Sequence, residues 1–493
     1  MTMRLSELSA LIPDSRIVGP DVEVEDITLD SKSVEKGFLF CATRGARFDG
    51  NSFIEEAISR GACAVMVSDE AAGSYPQLIV PSVRHGVGRL ANAICGSPSK
   101  KLNLVGITGT NGKTTTSYLL DGALRSAGHK TGLIGTIEAR VGEAHRPSIY
   151  TTPEAPELHR FLAEMVKLGV DSAVMEVSSH GIEQHRIDGA DFKIAIFTNL
   201  APEHLDYHGT IEQYYYAKSL LFDPKRCALA LICIDDEWGM RLAHYSTVPT
   251  LTFGFSASAD LVISSCSSSV EGTKLSVKGL GLDREIFVRV VGSCNAQNAA
   301  GAYLAATRLG VDPEVAARGI AATPGVEGRF QQVHADQDFL VVVDYAHTPD
   351  SIRALITTAR DLIAADRKVI LVAGARGRRD RLKRPELGRA AATADLVFLT
   401  TDNPGDENPE DIITQLLAGT VDIASRNIEV ELDRRMAIEK AVRAARSGDA
   451  VLIVGRGHET SFRVGDHRLE LDDREAAKDA LLKVLAANSR QRS

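Results

Sequence analysis

The stretch Val105-Gly-Ile-Thr-Gly-Thr-Asn-Gly-Lys-Thr-Thr-Thr116 holds the residue types that bind phosphate. Glycines let backbone N–H groups curl around an anion, a following helix adds its positive end, and Lys113 supplies a mobile cation. A hydroxyl from Thr114 or Thr115 can reach a magnesium ion. The strict P-loop pattern fails, because the position five residues before Gly112 is Ile107 and glycines fall at 106, 109 and 112. A plain glycine-rich strand-to-helix turn is the bland alternative. Further along, Glu176 ends an apolar run and precedes Val177-Ser-Ser-His-Gly181, where a carboxylate can hold magnesium opposite the loop. The next run ends in Thr198-Asn-Leu-Ala-Pro-Glu-His-Leu-Asp-Tyr-His-Gly209, dense in metal- and phosphate-binding groups. Lys218, on a helical stretch, reads from its residues alone as a surface lysine with a solvated head.

Three blocks must position these groups. The first, to about Pro98, alternates short strands (Phe38–Ala42, Ala64–Val67, Gln77–Val80) with helical stretches and closes at a polar linker, Gly96–Lys101. The second contains the phosphate loop, with a helix over Ser117–Ala127, and short apolar strands at 172–177, 193–198 and 228–234. Such runs between helical patterns predict a parallel sheet covered on both faces. From Leu261 to Val291 the texture predicts a small antiparallel insertion. The third block has strands at 339–343, 368–373, 395–400 and 450–454, again a doubly wound pattern. Polar clusters follow all four: Asp344-Tyr-Ala-His347, Gly374-Ala-Arg-Gly377, Thr401-Asp-Asn-Pro404 and Gly455-Arg-Gly-His-Glu459. Ligands gather at strand C-terminal ends in such sheets. The tail from Ala486 is expected to fray.

The expected organisation is therefore α/β in three domains: 1–98, 99–327 and 328–493. The 493 residues exceed one core at roughly 100–200 residues per domain. A hydrophobic share of 44%, a charged share of 25% and a net charge of −9 suit a globular enzyme and argue against a nucleic-acid platform. No run approaches the ~18 apolar residues of a membrane span. The N-terminus has no signal-peptide core, and seven cysteines without a CxxC pair read as buried thiols in a reducing cytoplasm.

In order, Gly109–Thr114, Glu176–His180, Thr198–Leu200 with His204-Leu-Asp206, Ala217-Lys218, Asn295-x-x-Asn298, Gly328-Arg329 and Asp344–His347 resemble the Mur ligases of peptidoglycan assembly. Leu29-Asp-Ser31, Gly37–Phe40, Asp49-Gly50, Lys383-Arg-Pro385 and Gly455-x-Gly-His-Glu459 extend the resemblance over essentially the whole chain, to the branch that makes the muramoyl-tripeptide. It implies a uridine-nucleotide-binding first domain, a P-loop-type ATPase second domain and a Rossmann-like third domain that binds the acceptor amino acid. The implied reaction joins a diamino acid to the D-glutamate γ-carboxylate of UDP-MurNAc-L-Ala-D-Glu, through an acyl phosphate made with ATP. Gly109, Thr110, Asn111, Gly112, Lys113, Thr114 and Thr115 would hold the ATP phosphates, with Asn295, Asn298, Arg329 and Asp344 completing the nucleotide site. Thr114 and Glu176 would serve a first magnesium. His204 and Lys218, the latter carbamylated, would serve a second. Leu29 and Ser31 would contact the uridine nucleotide, and Thr151, Thr152, Ser178, Gln184 and Arg186 the muramoyl-dipeptide. The implied protein is a cytoplasmic monomer with small-molecule substrates and neither nucleic-acid nor membrane partners. Folylpolyglutamate synthase, the nearest rival, lacks a uridine-nucleotide domain; a P-loop switch gives no reason for Lys218.

Three departures stand out. Glu203 replaces the family's usual aspartate before His-Leu-Asp, and Cys294 replaces a frequent phenylalanine. Gly405 follows Asp402-Asn403-Pro404 where relatives that add meso-diaminopimelate carry an arginine for the distal carboxylate. Lysine has no such carboxylate, so L-lysine is the favoured acceptor, with Asp406 and Glu407 facing its ε-ammonium. Meso-diaminopimelate and ornithine remain alternatives, because Arg376, Arg378 or Arg381 could supply the missing cation. Arg379 would hold the α-carboxylate and Glu459 an amino group, with Asp402, Asn403, Pro404, Gly405, Asp406 and Gly455 completing the acceptor site.

Overall fold

A computed structural model describes residues 2–45, 49–142, 144–378, 381–421, 423 and 427–492, with side chains to residue 487. Three sheets succeed one another along the chain. The first has five strands in the order Arg16–Val18, Gln77–Ile79, Ala64–Val67, Phe38–Cys41, Asp26–Thr28, parallel except at its first pair. Both of its faces are apolar, with Leu39 and Met66 packing to one side and Phe40 and Val65 to the other. That two-sided burial explains the unbroken apolar runs.

The second sheet has eleven strands. At its centre Asn103–Thr108 lies parallel between Ser172–Glu176 and Ile194–Phe197, with Glu176 opposite Ile107 and Phe197 opposite Thr108. Register thus delivers the residues after three strands to one edge. Helices Lys113–Ser126 and Ser293–Arg308 cover one face through Leu119, Leu120, Ala299 and Tyr303, while Ala155–Lys167 covers the other through Leu158 and Leu162. Strands Leu261–Ser269, Gly272–Lys278 and Arg284–Val288 are antiparallel, as their alternation predicts. They are no separate insertion, because Leu261 pairs in parallel with Phe253 and continues the main sheet to its edge.

The third sheet orders six strands as Gln331–Gln332, Leu340–Asp344, Ala450–Val454, Val369–Ala373, Leu396–Leu399, Ile428–Val430. Asp344 lies opposite Val454 and Ala373 opposite Leu399, so the four polar clusters share one edge. Arg434 ties that edge together. Fully buried, it donates to both Asp473 oxygens at 2.9 and 2.7 Å and to the carbonyls of Val454 (2.8 Å) and Thr401 (3.4 Å). It therefore braces the strand ends from which Asp402 and Gly455 emerge.

Two expectations need correcting. The Gly96–Lys101 linker is a short 3-10 turn, Pro98–Lys101, with Pro98 and Ser99 buried. The tail continues a helix, Asp473–Arg492, whose Ala476, Ala477, Ala480 and Leu481 pack on the third sheet and hold it in register.

Removing one partner of a buried ion pair leaves an uncompensated charge. Asp473→Ala should therefore cost about 3–5 kcal/mol in urea unfolding. The exposed Arg435–Asp479 pair (3.2 Å) is the control, and Asp479→Ala should cost less than about 1 kcal/mol.

Candidate active site

The phosphate loop is closed by backbone approach. Gly109 (φ +151°) and Gly112 (φ +86°) occupy conformations that side chains rarely adopt, and a Cβ at either would run into Thr198 Oγ1 or Asn298 Oδ1 respectively. The neighbouring strand end clamps the loop. Thr110 N–H donates to Asn199 O (2.9 Å), Asn111 N–H to Asn199 Oδ1 (2.9 Å), and Thr198 Oγ1 to Asn111 O (2.6 Å). The helix starts at Lys113, earlier than its sequence predicts, so its N-terminal amides face the loop. Lys113 Nζ folds back onto the carbonyls of Gly109 (2.8 Å) and Thr110 (2.9 Å), and burial holds its ammonium below the ordinary lysine range.

Glu176, only 1% exposed, accepts from Thr114 Oγ1 and Thr136 Oγ1 (both 3.0 Å) and from Thr136 N–H (2.7 Å). Thr136, just past the strand Thr131–Ile134, was missed at the sequence level; its place at a strand end was the available signal. Arg329 Nη2 donates to Thr114 Oγ1 at 3.1 Å, and its guanidinium lies 4.5 Å over the Tyr345 ring. Among the described residues no three His, Cys, Asp or Glu side chains converge on one point. A hydroxyl and a single carboxylate beside a phosphate cradle nevertheless suit magnesium, which takes one or two carboxylates and completes its shell with phosphate and water.

Lys218 overturns its residue-only reading. It lies on Ile211–Ser219 with 1% of its surface exposed, its Nζ donating to Gly109 O at 2.9 Å, 4.5 Å over the Tyr214 ring. Two lysines thus meet one carbonyl. Burial and then the Lys113 charge, against a weaker pull from Glu203, hold the Lys218 ammonium well below its usual range. Tyr214, also absent from the sequence reading, shares a 3.2 Å hydrogen bond with Thr110 Oγ1.

His204 follows in a left-handed conformation (φ +57°), and burial lowers its imidazole to about 4 despite the pull of Glu203. Glu203 accepts from His347 Nε2 of the third sheet at 2.8 Å. On the nucleotide side, Asn298 Nδ2 donates to Asn295 Oδ1 (2.9 Å), Asn295 Nδ2 to Val291 O (2.8 Å), and the Asp344 carboxylate accepts from Phe330 and Ala346 N–H (2.6 and 2.7 Å). Burial raises Asp344 above the usual carboxylate range.

A cavity of about 450 Å³ joins these groups, lined by Lys113, Glu176, His204, Asn298, Arg329 and Asp402 among others, and by Thr115, Thr151 and Ser178. At its far end Asp402 is 1% exposed with neither carboxylate oxygen hydrogen-bonded, and Glu459 Oε2 is likewise unpartnered. Arg376 pairs with Glu459. Such buried, unpartnered oxygens call for a ligand. Gly455 (φ +108°) lies against Asp402, where a Cβ would run into Oδ2. Gly405 (φ +60°) has open space at its Cβ position, its N–H donating to Arg463 O at 2.9 Å, while Arg463 N–H donates to Asn403 Oδ1 at 3.2 Å. Pro404 O abuts Gly377. The negative charge expected for an ε-ammonium is already committed. Asp406 pairs with Arg378, and Glu407 pairs with Arg384 (2.9 Å) and Arg381 (3.1 Å), held at about 2 chiefly by the Arg384 bond. Arg379 lies outside the described residues.

The remaining expected residues stand apart from the cavity. Ser31 Oγ donates to Glu56 at 2.8 Å, and Leu29 packs on the first core. Thr152 Oγ1 donates to Glu176 O (3.0 Å) and accepts from Ser178 N–H (2.9 Å). Arg186 donates to Thr152 O (2.9 Å) and Gln184 Oε1 (2.6 Å) and stacks 4.6 Å over Tyr150.

Known proteins resemble both sequence and fold. Residues 23–93 match the model described as Mur ligase family, catalytic domain; residues 107–306 the Mur ligase middle domain; and residues 328–457 the Mur ligase, glutamate ligase domain. A relative from Aquifex aeolicus, named UDP-N-acetylmuramoyl-L-alanyl-D-glutamate–2,6-diaminopimelate ligase, is 41% identical over 459 residues, 93% of this chain and 94% of its own. A solved structure of a ligase of the same name superposes with a TM-score of 0.69 at 30% identity, covering 98% of this chain and 99% of that one. At 22% identity, MurF ligase from Thermotoga maritima, in complex with ADP, shares the fold (TM-score 0.65, covering 95% and 99%).

Gly112→Ala forces a side chain into Asn298 and into a left-handed backbone, a strain of about 1–3 kcal/mol. Calorimetric titration should show nucleoside-triphosphate affinity down by roughly tenfold or more.

Proposed function

Because the chain belongs to the Mur ligase family, we propose that it joins diaminopimelate to the D-glutamate γ-carboxylate of UDP-N-acetylmuramoyl-L-alanyl-D-glutamate at the expense of ATP, in the cytoplasm. The observation that carries this reading is a single cavity with a phosphate loop at one end and the unpartnered Asp402 carboxylate at the other. A loop for ATP and an anionic pocket for an amino acid suit a ligase better than a switch.

In this reading the substrate carboxylate attacks the γ-phosphorus, ADP leaves, and an acyl phosphate forms. The acceptor amine then attacks the acyl carbon, and phosphate leaves from the tetrahedral intermediate. Lys113 and the loop amides of 109–115 neutralise the moving charge, which is most of what phosphoryl transfer asks of a protein. Arg329, Asp344, Asn295 and Asn298 bind the rest of the nucleotide. Thr151, Thr152, Ser178, Gln184 and Arg186 present the dipeptide, and Leu29 and Ser31 the uridine nucleotide. Thr114 and Glu176 would hold one magnesium, and His204 with a carbamate on Lys218 another; the ions would supply Lewis-acid stabilisation of the phosphoryl oxygens. The chemistry of Lys218 fits that group. Burial beside a second cation shifts Lys218 towards the neutral amine, the form that adds to carbon dioxide with loss of a proton.

The acceptor is reassigned from lysine. The acidic pair expected for an ε-ammonium is neutralised by Arg378, Arg381 and Arg384. Arg378 and Arg463 flank the Gly405 turn but bond Asp406 and Asp466, so a distal carboxylate would take these cations by displacing an acidic partner. The Aquifex relative is itself named for diaminopimelate.

Phosphate release should require the UDP-muramoyl-dipeptide together with diaminopimelate, with lysine and ornithine at least about tenfold poorer in kcat/KM. Release without an acceptor would refute the ligase reading, and equal use of lysine would refute the acceptor assignment. Lys218→Ala should lose about a hundredfold or more in kcat and recover partly with added short carboxylates. In the wild type, activity lost after acid treatment should return with bicarbonate, because a carbamate breaks down as its nitrogen is protonated.

A further inference from the structure

Glu203 belongs to the central sheet's edge yet takes its hydrogen-bond partner from the third. Its side chain is 5% exposed, and His347 Nε2, on the loop after Leu340–Asp344, donates to Oε1 at 2.8 Å. The ring is aimed beforehand, because His347 Nδ1 donates to Tyr345 O at 2.8 Å within its own loop. Lys383, also of the third segment, adds a positive charge that Glu203 feels. His204 Nε2 lies 3.8 Å from the same carboxylate oxygen. Arg329 also reaches across to Thr114, but its acceptor is the loop hydroxyl that already donates to Glu176.

We propose that Glu203 and His347 form a cross-cleft latch, a pair of positioning residues that holds the third domain closed on the phosphate loop and sets His204 in place. A buried carboxylate whose donor comes from the opposite lip loses that donor whenever the cleft opens. Closure keeps out of water a 2.8 Å hydrogen bond to an ionised carboxylate, and such bonds are stronger away from water. A shorter aspartate at 203 would need the two lips closer together to make the same bond. Neither residue needs to touch the reacting atoms. The latch acts on the fraction of molecules that close, and through Glu203 on where its neighbour His204 sits.

The latch rests on the ligase reading only for its activity readout, because closure is measured without an acceptor. In small-angle X-ray scattering of the full chain, wild type should compact on adding Mg·ATP with the UDP-muramoyl-dipeptide, and Glu203→Gln and His347→Gln should each stay extended. With diaminopimelate, each should lose about tenfold in kcat, with KM for the dipeptide within about threefold of wild type. The double variant should lose no more than the worse single. Glu203→Asp, charged but shorter, should fall between wild type and Glu203→Gln in compaction. His347 is 27% exposed, so its variant remains a folded test should Glu203→Gln unfold. Undiminished compaction in His347→Gln, or losses that multiply in the double variant, would overturn the latch. Compaction losses in a protein that releases phosphate without an acceptor would leave the latch standing and remove the ligase reading instead.

Discussion

A buried lysine and a half-buried one donate to one carbonyl oxygen, and much of the site follows from that arrangement. Gly109 O receives Lys113 at 2.8 Å and Lys218 at 2.9 Å. The loop can offer it only because Gly109 carries no side chain and its φ of +151° turns the peptide inward. Two full ammonium charges so close in a dry setting repel strongly. Burial and that repulsion both drive Lys218 towards its neutral form, while Lys113, at the helix N-terminus, keeps the nearer place to the cavity. A lysine in this position is chemically useful as an amine rather than as a cation. The Tyr214 ring and the Thr110–Tyr214 bond fix its stem.

The two sheets around the cavity solve the same problem by different means. In the central sheet, parallel register alone aligns Glu176, Thr198 and Gly109 at one edge, and threonine hydroxyls cross-link them. In the third sheet the strand ends are braced by charge. Arg434 holds Val454 and Thr401 from beneath, and Arg384 holds Glu407. This bracing leaves Asp402 and Glu459 Oε2 unpartnered. A site whose own hydrogen bonds were complete would have nothing left for a ligand, and bare buried oxygens such as these carry a desolvation cost that a bound donor would recover.

The fold was legible because apolar runs of four to six residues, spaced by helical stretches, mark parallel strands buried on both faces. The strand Ala450–Val454 was readable to the residue. Ends were less legible. The tail from Ala486 looked polar and frayed, but Ala476, Ala477 and Ala480 upstream nucleate a helix that carries it onward. At the site, the groups that follow strands were readable by position, and the structure gathers Lys113, Glu176, His204, Asn298, Arg329 and Asp402 around one cavity. What stayed hidden was pairing across sequence. Nothing local distinguishes Lys218 from a surface lysine, since its burial comes from a loop 109 residues earlier. Thr136 and Tyr214 acquire meaning only through Glu176 and Thr110.

The acceptor end shows why a single missing side chain is weak evidence about specificity. Gly405 removes an arginine from one position, but recognition of a carboxylate depends on where guanidinium groups converge, whichever residue supplies them. The loop 374–378 packs so closely on 402–405 that Pro404 O abuts Gly377, and this contact brings Arg378 beside Asp406. The hairpin Ser461–Val464 and His467–Glu470 pairs its backbone with Gly405 and brings Arg463 to the same rim. A bulky residue at 405 would have to hold φ +60° beside that pairing, whereas glycine does so without strain. The glycine therefore reads best as the device that seats the hairpin.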